Sequence, residues 1–163
     1  RYASPGSAGL AMGIIALSGL LMVVPTTGIV SAIAIPALLG QRSRVRVKAV
    51  HHMVSRAAVE AARVSDELKG RQPEAWSGQR VVAQVLADPA FQVPAAVNPY
   101  GGAGAPFVQG AAPGPGMVGL TFVPDYRDPA SGQVYPAVVI EGCFLDPAKG
   151  QAEARIHKAV ALD

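Results

Sequence analysis

The stretch that decides the fold is residues 8–69, AGLAMGIIALSGLLMVVPTTGIVSAIAIPALLGQRSRVRVKAVHHMVSRAAVEAARVSDELK. No charged residue occurs between Arg1 and Arg42, and the run from Ala8 to Leu39 is built mostly from Ala, Gly, Ile, Leu, Met and Val. About 20 apolar residues already span a bilayer core, so lipid or a close-packed assembly of like helices has to receive this surface. Ala8 to Val24 is long enough for one helical span, and Gly9, Gly13 and Gly19 supply small positions at which helix backbones can approach. Pro25-Thr26-Thr27-Gly28 interrupts the run. Proline withdraws a backbone donor and glycine loosens the helix, so a kink or melted turn is expected between Pro25 and Pro36. Gly28 to Gly40 is too short to return across a bilayer, which disfavours a transmembrane hairpin.

Beyond Pro36 the pattern changes period. Val47, Val50, Val54, Ala57, Ala61, Val64 and Leu68 recur at steps of three and four, whereas Arg46, Lys48, His52, Arg56, Glu60, Arg63 and Glu67 lie largely off that stripe. This is an amphipathic helix over 41–69 with one packed and one wet face. Ala57, Ala58, Ala61 and Ala62 predict close approach of a sheet from the same chain, and Gly70 is expected to end the helix, with Lys69 at its negative pole.

The order of these pieces carries a family resemblance. Gly28-Ile29-Val30-Ser31-Ala32-Ile33-Ala34-Ile35-Pro36, followed by an amphipathic extension, resembles the second half of the apolar part of the N-terminal helix in bacterial type IV pilins and type II secretion pseudopilins. Asn98-Pro99-Tyr100-Gly101 and the strands after it resemble the family's C-terminal part more loosely. The resemblance implies an α+β fold in which a long helix, hydrophobic and then amphipathic, packs on a small antiparallel sheet. It also implies a subunit of an extracellular filament at the cell surface, drawn from an inner-membrane precursor. Its partners would be copies of itself in a helical homo-polymer and the pilus assembly machinery. On that reading Gly9, Gly13, Gly19, Pro25, Gly28 and Pro36 form the self-assembly segment. The chain departs from the family at the helix start: counting back from Pro36 places Ile14 or Ile15 where a methylated aromatic residue usually stands, Gly13 where a cleavage glycine would be, and Ser18 or Gly19 at the usual acidic position. The abrupt start at Arg1 reads as a processed end.

Composition bounds the rest. With 163 residues, half of them hydrophobic, the chain has room for one modest globular domain after the apolar run. Three segments are therefore expected: a hydrophobic N-terminal piece over 1–40, the amphipathic helix over 41–69, and a small β-rich domain over 70–163. Within the last, Arg80 to Leu86 reads as a brief helix stopped by Pro89, and 95–116 as a Gly/Pro/Ala-rich loop. Met117 to Val123, Val134 to Ile140 and Ala154 to Val160 read as strands, the first two joined by a turn over Asp125 to Gly132. Three strands on the alanine face of the helix would complete a minimal domain.

Chemistry-bearing motifs are thin. His51 and His52 are adjacent and point about 100° apart on a helix, so they cannot chelate a metal as an i, i+4 pair would. His157 stands alone on a strand, and Asp125, Asp128 and Asp146 sit in turns, where aspartate serves the backbone. Cys143 is a lone thiol in an apolar strand, which reads as a small buried side chain. No Gly-x-Ser-x-Gly elbow positions a nucleophile. No catalysis, cofactor or metal is expected. The net charge of +3 is concentrated on Arg42, Arg44, Arg46, Lys48, Arg56 and Arg63, which admits anionic headgroups, phosphate, or acidic residues of neighbouring copies as partners. Nucleic acid is disfavoured because no aromatic or groove-reading element accompanies the charge. Positive charge after a span would place the C-terminal domain in the cytoplasm, and a span followed by a small domain also suits a single-span anchored domain that binds a partner on whichever side it faces. That is the alternative to the filament subunit.

Overall fold

The computed structural model describes residues 6–71, 73–92, 96–101 and 104–162, with side chains from Leu38 onward except that of Ala75. It is an α+β chain that divides into two compact units, residues 1–42 and 43–163. In the first, the backbone is helical from Gly6 and belongs to a helix α1 that ends at Arg71, 66 residues in all. The melted turn expected between Pro25 and Pro36 is absent. Proline's fixed φ is itself helical, so each proline costs one hydrogen bond to the carbonyl four residues back without ending the helix. Nor does Gly70 terminate it: Gly70 is helical and Arg71 is the last helical residue.

The second unit is assembled on the remainder of α1. Val50, Val54, Ala57, Ala58, Ala61, Val64 and Leu68 are buried, and Val47 and Ala62 are half-buried. The buried α1 residues share one core with Val81, Val82 and Val85 of helix α2 (Gly78–Ala87) and with sheet residues Phe107, Val118, Leu120, Val138 and Ile140. Ser77 caps α2 by accepting from the Arg80 N–H at 3.3 Å, and Asp88 closes it into a 3₁₀ turn, Pro89–Phe91. Burying Val81, Val82 and Val85 on one face is what a four-residue helical repeat provides. At the helix start, a Cβ on Gly78 would stand 2.0 Å from the Phe122 ring, so the absent side chain lets α2 lie directly on the sheet.

Four strands form that sheet in the order β1 (Phe107–Gln109), β2 (Val118–Arg127), β3 (Val134–Asp146) and β4 (Ala152–Ala161). β2, β3 and β4 are antiparallel neighbours, but β1 runs parallel to β2, pairing Phe107 with Val118 and Gln109 with Leu120. The sheet is therefore mixed, not the purely antiparallel one expected, and its extra strand comes from within the Gly/Pro/Ala-rich loop. Phe107 explains why. Its buried ring meets Phe91 edge-on at a centroid distance of 4.8 Å, an anchor large enough to fix three residues of backbone. Gly110 at φ +98 turns the chain back, and the return segment crosses Gly119 so closely that a Cβ there would lie 2.1 Å from the Gly110 carbonyl oxygen. β2 is also longer than the apolar run indicates, because a register shift between Val123 and Tyr126 takes Pro124 out of the ladder. Beyond it the Tyr126 and Tyr135 rings pair across the strands at 5.7 Å. The turn that follows is held by Asp128, which accepts from the Ala130 N–H at 2.9 Å and the Ser131 hydroxyl at 2.7 Å. These bonds hold its carboxyl below the usual range.

The close contact of α1 with the sheet falls at Gly142. A Cβ on that residue would stand 2.6 Å from Val54 Cγ2 and 2.8 Å from Val50 Cγ1, with Ile156 Cγ2 at 3.1 Å. β-Branched valines on a helix have one favoured rotamer, so they cannot swing aside. Gly142→Ala should therefore lower stability by about 1–3 kcal/mol through overpacking. Gly70→Ala, on a helical residue with open space around it, should raise it by about 0.5–1 kcal/mol. Chemical denaturation of the two variants beside the parent checks both signs.

Candidate functional site

Residues 38–56 of α1 carry the features that need explaining by function. Leu38, Leu39 and Val45 are 57%, 58% and 65% exposed, and Arg42, Arg44, Arg46, Lys48, His51, His52 and Arg56 are exposed as well. Ser43 is the first buried side chain among those described in α1, at 9% exposure, and its hydroxyl accepts from Gln151 Nε2 at 3.2 Å. That bond depends on an unusual backbone. Gly150 and Gln151 are left-handed in succession, at φ +64 and +66, the second a conformation that a side-chain-bearing residue adopts at a cost. The turn before them is set by Asp146, which accepts from the Ala148 N–H at 2.9 Å.

One helical turn further on, the Arg46 guanidinium lies 5.4 Å from the centre of the Tyr100 ring, a cation–π contact that orients the arginine while leaving its charge unneutralised. Tyr100 is itself fixed. Its hydroxyl accepts from the Leu145 N–H at 3.2 Å, its own N–H donates to Asn98 Oδ1 at 2.8 Å, and Asn98 Nδ2 donates to the Pro115 carbonyl at 3.2 Å. The Asn98–Gly101 turn thus ties together α1, the end of β3 and the loop before β2. His51 packs its ring 5.5 Å from that of Phe144.

His52 lies apart from His51, on the wall of an open cleft of about 460 Å³ shared with Ser55, Arg56, Val59, Glu60, Asp88, Ala90 and Phe91. Arg56 covers the Phe91 ring at 5.1 Å, so the cleft has an apolar floor and a rim of both signs. Further along α1, Arg63 bridges Glu60 and Glu67, the latter at 2.9 Å, and Arg71 also reaches Glu67 at 2.9 Å. This pairing pushes the Arg63 guanidinium well above its ordinary value, Glu60 contributing most.

On the sheet face away from α1, Glu141 makes an ion pair with Arg155, lies 3.6 Å from His157 Nδ1 and accepts from the Ala112 N–H at 3.2 Å. His157, which reads as isolated in the sequence, therefore shares a carboxylate with a neighbouring strand. Cys143 is buried on the same strand, and burial, helped by Glu153, pushes its thiol up. Asp128 and Asp146 serve their own turns, and Asp125 is exposed at the β2 irregularity. Among the described residues, no group of three His, Cys, Asp or Glu could hold a metal ion.

The side chains of residues 1–37 lie outside the described set, and with them the proposed self-assembly positions Gly9, Gly13, Gly19, Pro25, Gly28 and Pro36. Among the described residues no helix is long and apolar enough to cross a membrane. The Ser43–Gln151 bond, the Arg46–Tyr100 stack and the Glu141 cluster all join residues far apart in the chain, and no local pattern announces them. The Asn-Pro-Tyr-Gly turn is legible as a turn, but not as a platform for an arginine. Comparison with family models, with curated proteins and with solved structures finds no match.

Tyr100→Phe removes one hydroxyl acceptor and leaves the Leu145 N–H without this partner, so stability should fall by about 1 kcal/mol while the ring remains under Arg46. The Cys143 thiol should resist an aqueous thiol reagent until the chain is unfolded. Because folding holds the thiol protonated, its contribution to stability is present below the ordinary thiol value and is lost as pH rises through the raised one. Labelling with and without denaturant, and a stability profile on the alkaline side, check these expectations.

Proposed function

We propose that the chain is a structural subunit of a type IV pilus-like extracellular filament, assembled through its N-terminal hydrophobic helix. The supporting observation is that α1 runs from Gly6 to Arg71 without a non-helical residue, while its later part is built into the core of the sheet unit. A membrane anchor for a binding domain needs only a tether, and tethers are ordinarily Gly-, Ser- or Pro-rich coil. A helix whose later part enters the core of the sheet unit is more than such a tether requires, and a helical polymer is built by repeating one interface between identical subunits. The pilin-like order of helix and small sheet supports the same reading. An acidic residue near the start of the apolar run is lacking, so apolar packing carries the association, and the filament should withstand salt that dissolves charge-registered assemblies. Before assembly the apolar run resides in the inner membrane, where the assembly machinery would collect it.

An anchor is indifferent to bulk on its lipid-facing side, whereas a helix bundle packed at interior density is not. Gly13→Leu and Gly19→Leu should therefore block polymer formation and leave membrane insertion intact. Negative-stain microscopy of sheared surface material, probed with antibody to residues 70–163, reads the polymer, and membrane fractionation reads insertion. Polymers from both variants equal to the parent's, or detergent extracts of the parent that are monomeric at every concentration, would overturn the filament in favour of a single-span anchored domain.

A further inference from the structure

All 11 acidic residues of the chain lie at or beyond Glu60, so the first 59 residues carry five arginines and lysines besides Arg1 and no carboxylate. Arg44 and Lys48 are exposed and, among the described residues, make no ion pair, and Arg46 is held by a ring, not by an acid. Glu60, the nearest acid along the helix, is already taken by Arg63, and Glu67 by Arg63 and Arg71.

The placement of these cations is specific. At about 100° per residue, Arg44 and Lys48 leave the helix on one flank of its buried stripe and Arg46 on the other, with the exposed Val45 between them. They form a collar around the free side of the helix, not a stripe along it. From Arg44 to Lys48 the collar is about 6 Å tall, close to the thickness of one headgroup layer. The uncharged part of α1 ahead of Arg42 is longer than the roughly 30 Å of a bilayer's hydrocarbon core, so a span can end just before the collar. A duplex or an acidic peptide approaches a helix from one side, whereas a headgroup layer meets cations at one depth on both flanks.

We infer that Arg44, Arg46 and Lys48 form a binding collar for anionic phospholipid headgroups, which sets the depth at which the chain sits in a bilayer. The collar serves the unassembled chain, so it holds whether or not that chain goes on to polymerise. Arg46 is presented ready-oriented by Tyr100, and Arg44 and Lys48 reach outward on flexible stems that leave their charge in the polar layer. Val45 and the exposed Leu38 and Leu39 are then covered by acyl chain and glycerol instead of water.

The test uses the full chain, transferred from detergent into two vesicle populations that are separated by flotation: phosphatidylcholine alone, and phosphatidylcholine with about a third phosphatidylglycerol. The parent should favour the anionic vesicles, by about fivefold for each cation engaged, and the preference should collapse in molar salt. Arg44→Gln with Lys48→Gln, both at exposed positions, should remove about 25-fold of it. Arg44→Lys with Lys48→Arg should retain it, as should Arg127→Gln with Lys149→Gln, which neutralises exposed cations elsewhere. An unchanged preference in the Arg44→Gln, Lys48→Gln chain overturns the collar. So does a short DNA duplex that binds the chain held in phosphatidylcholine vesicles, with a salt dependence lost in the same variant, while the lipid preference stays put. Loss of filaments without loss of lipid preference would fault the assembly reading alone.

Discussion

The structure of the sheet unit depends on the contact of α1 with β3 at Gly142. Two valines one helical turn apart, Val50 and Val54, rest where a side chain on that strand would be, so helix and sheet meet backbone to side chain at the centre of the core. With the helix this close, the neighbouring strands must supply the rest of the packing. Val118 and Ile156, the ladder partners of Gly142 on either side, flank the valines, and both lie on the same face of the sheet. The small side chains of Ala57, Ala58 and Ala61 extend the low ridge toward the helix end, and α2 fills the remaining space with three more valines. Small or short side chains occur at each closest approach: Gly142 under α1, Gly78 on Phe122, Gly119 beneath the returning loop. Backbones that approach to this degree exclude water from their hydrogen bonds, which raises the penalty for any local opening.

That constraint also explains what could be read from the sequence and what could not. The period of α1 is legible because helical geometry turns burial into a repeat: Val50, Val54, Ala57, Ala61 and Val64 are spaced by three and four and are all buried. β2, β3 and β4 are legible as apolar runs between turn residues, although their ends are not, since Pro124 looks like a stop and is accommodated by a register shift. β1 is different. Three residues are too few to show alternation, and their parallel pairing is decided by Phe91 and by the glycines that let the chain double back. A crossover between parallel strands usually takes a dozen residues or more. Here the returning chain has little distance to cover, because the strand it returns along is so short.

The prolines of the apolar run do not melt the helix, for an instructive reason. A proline's cost in a helix is one missing donor and a local clash, and reading it as a break assumes that nothing else holds the helix on either side. In α1 the cost is local and the helix is long, so the same residues that punctuate loops elsewhere are carried within it. Gly70 follows the same logic. A glycine near the end of a periodic pattern suggests a left-handed cap, but the backbone there stays helical for one residue more, and among the described residues the left-handed glycines are Gly101, Gly110, Gly116, Gly132 and Gly150.

The electrostatics of α1 follow from where its carboxylates are. Toward the end of the helix, acid and base alternate at spacings of three and four, and the charges neutralise one another on the helix itself, in water, at modest gain. Between Arg42 and Lys48 the described residues make no ion pair: the sheet offers Arg46 an aromatic ring and offers Ser43 an amide. An aromatic platform is an economical way to hold an arginine that is meant to keep its charge, because the ring restricts the side chain without neutralising it. A carboxylate in the same place would have orientated Arg46 equally well and satisfied it. Four cations from Arg42 to Lys48, at the end of an uncharged run and, among the described residues, in no ion pair, give this part of the helix a concentrated positive field.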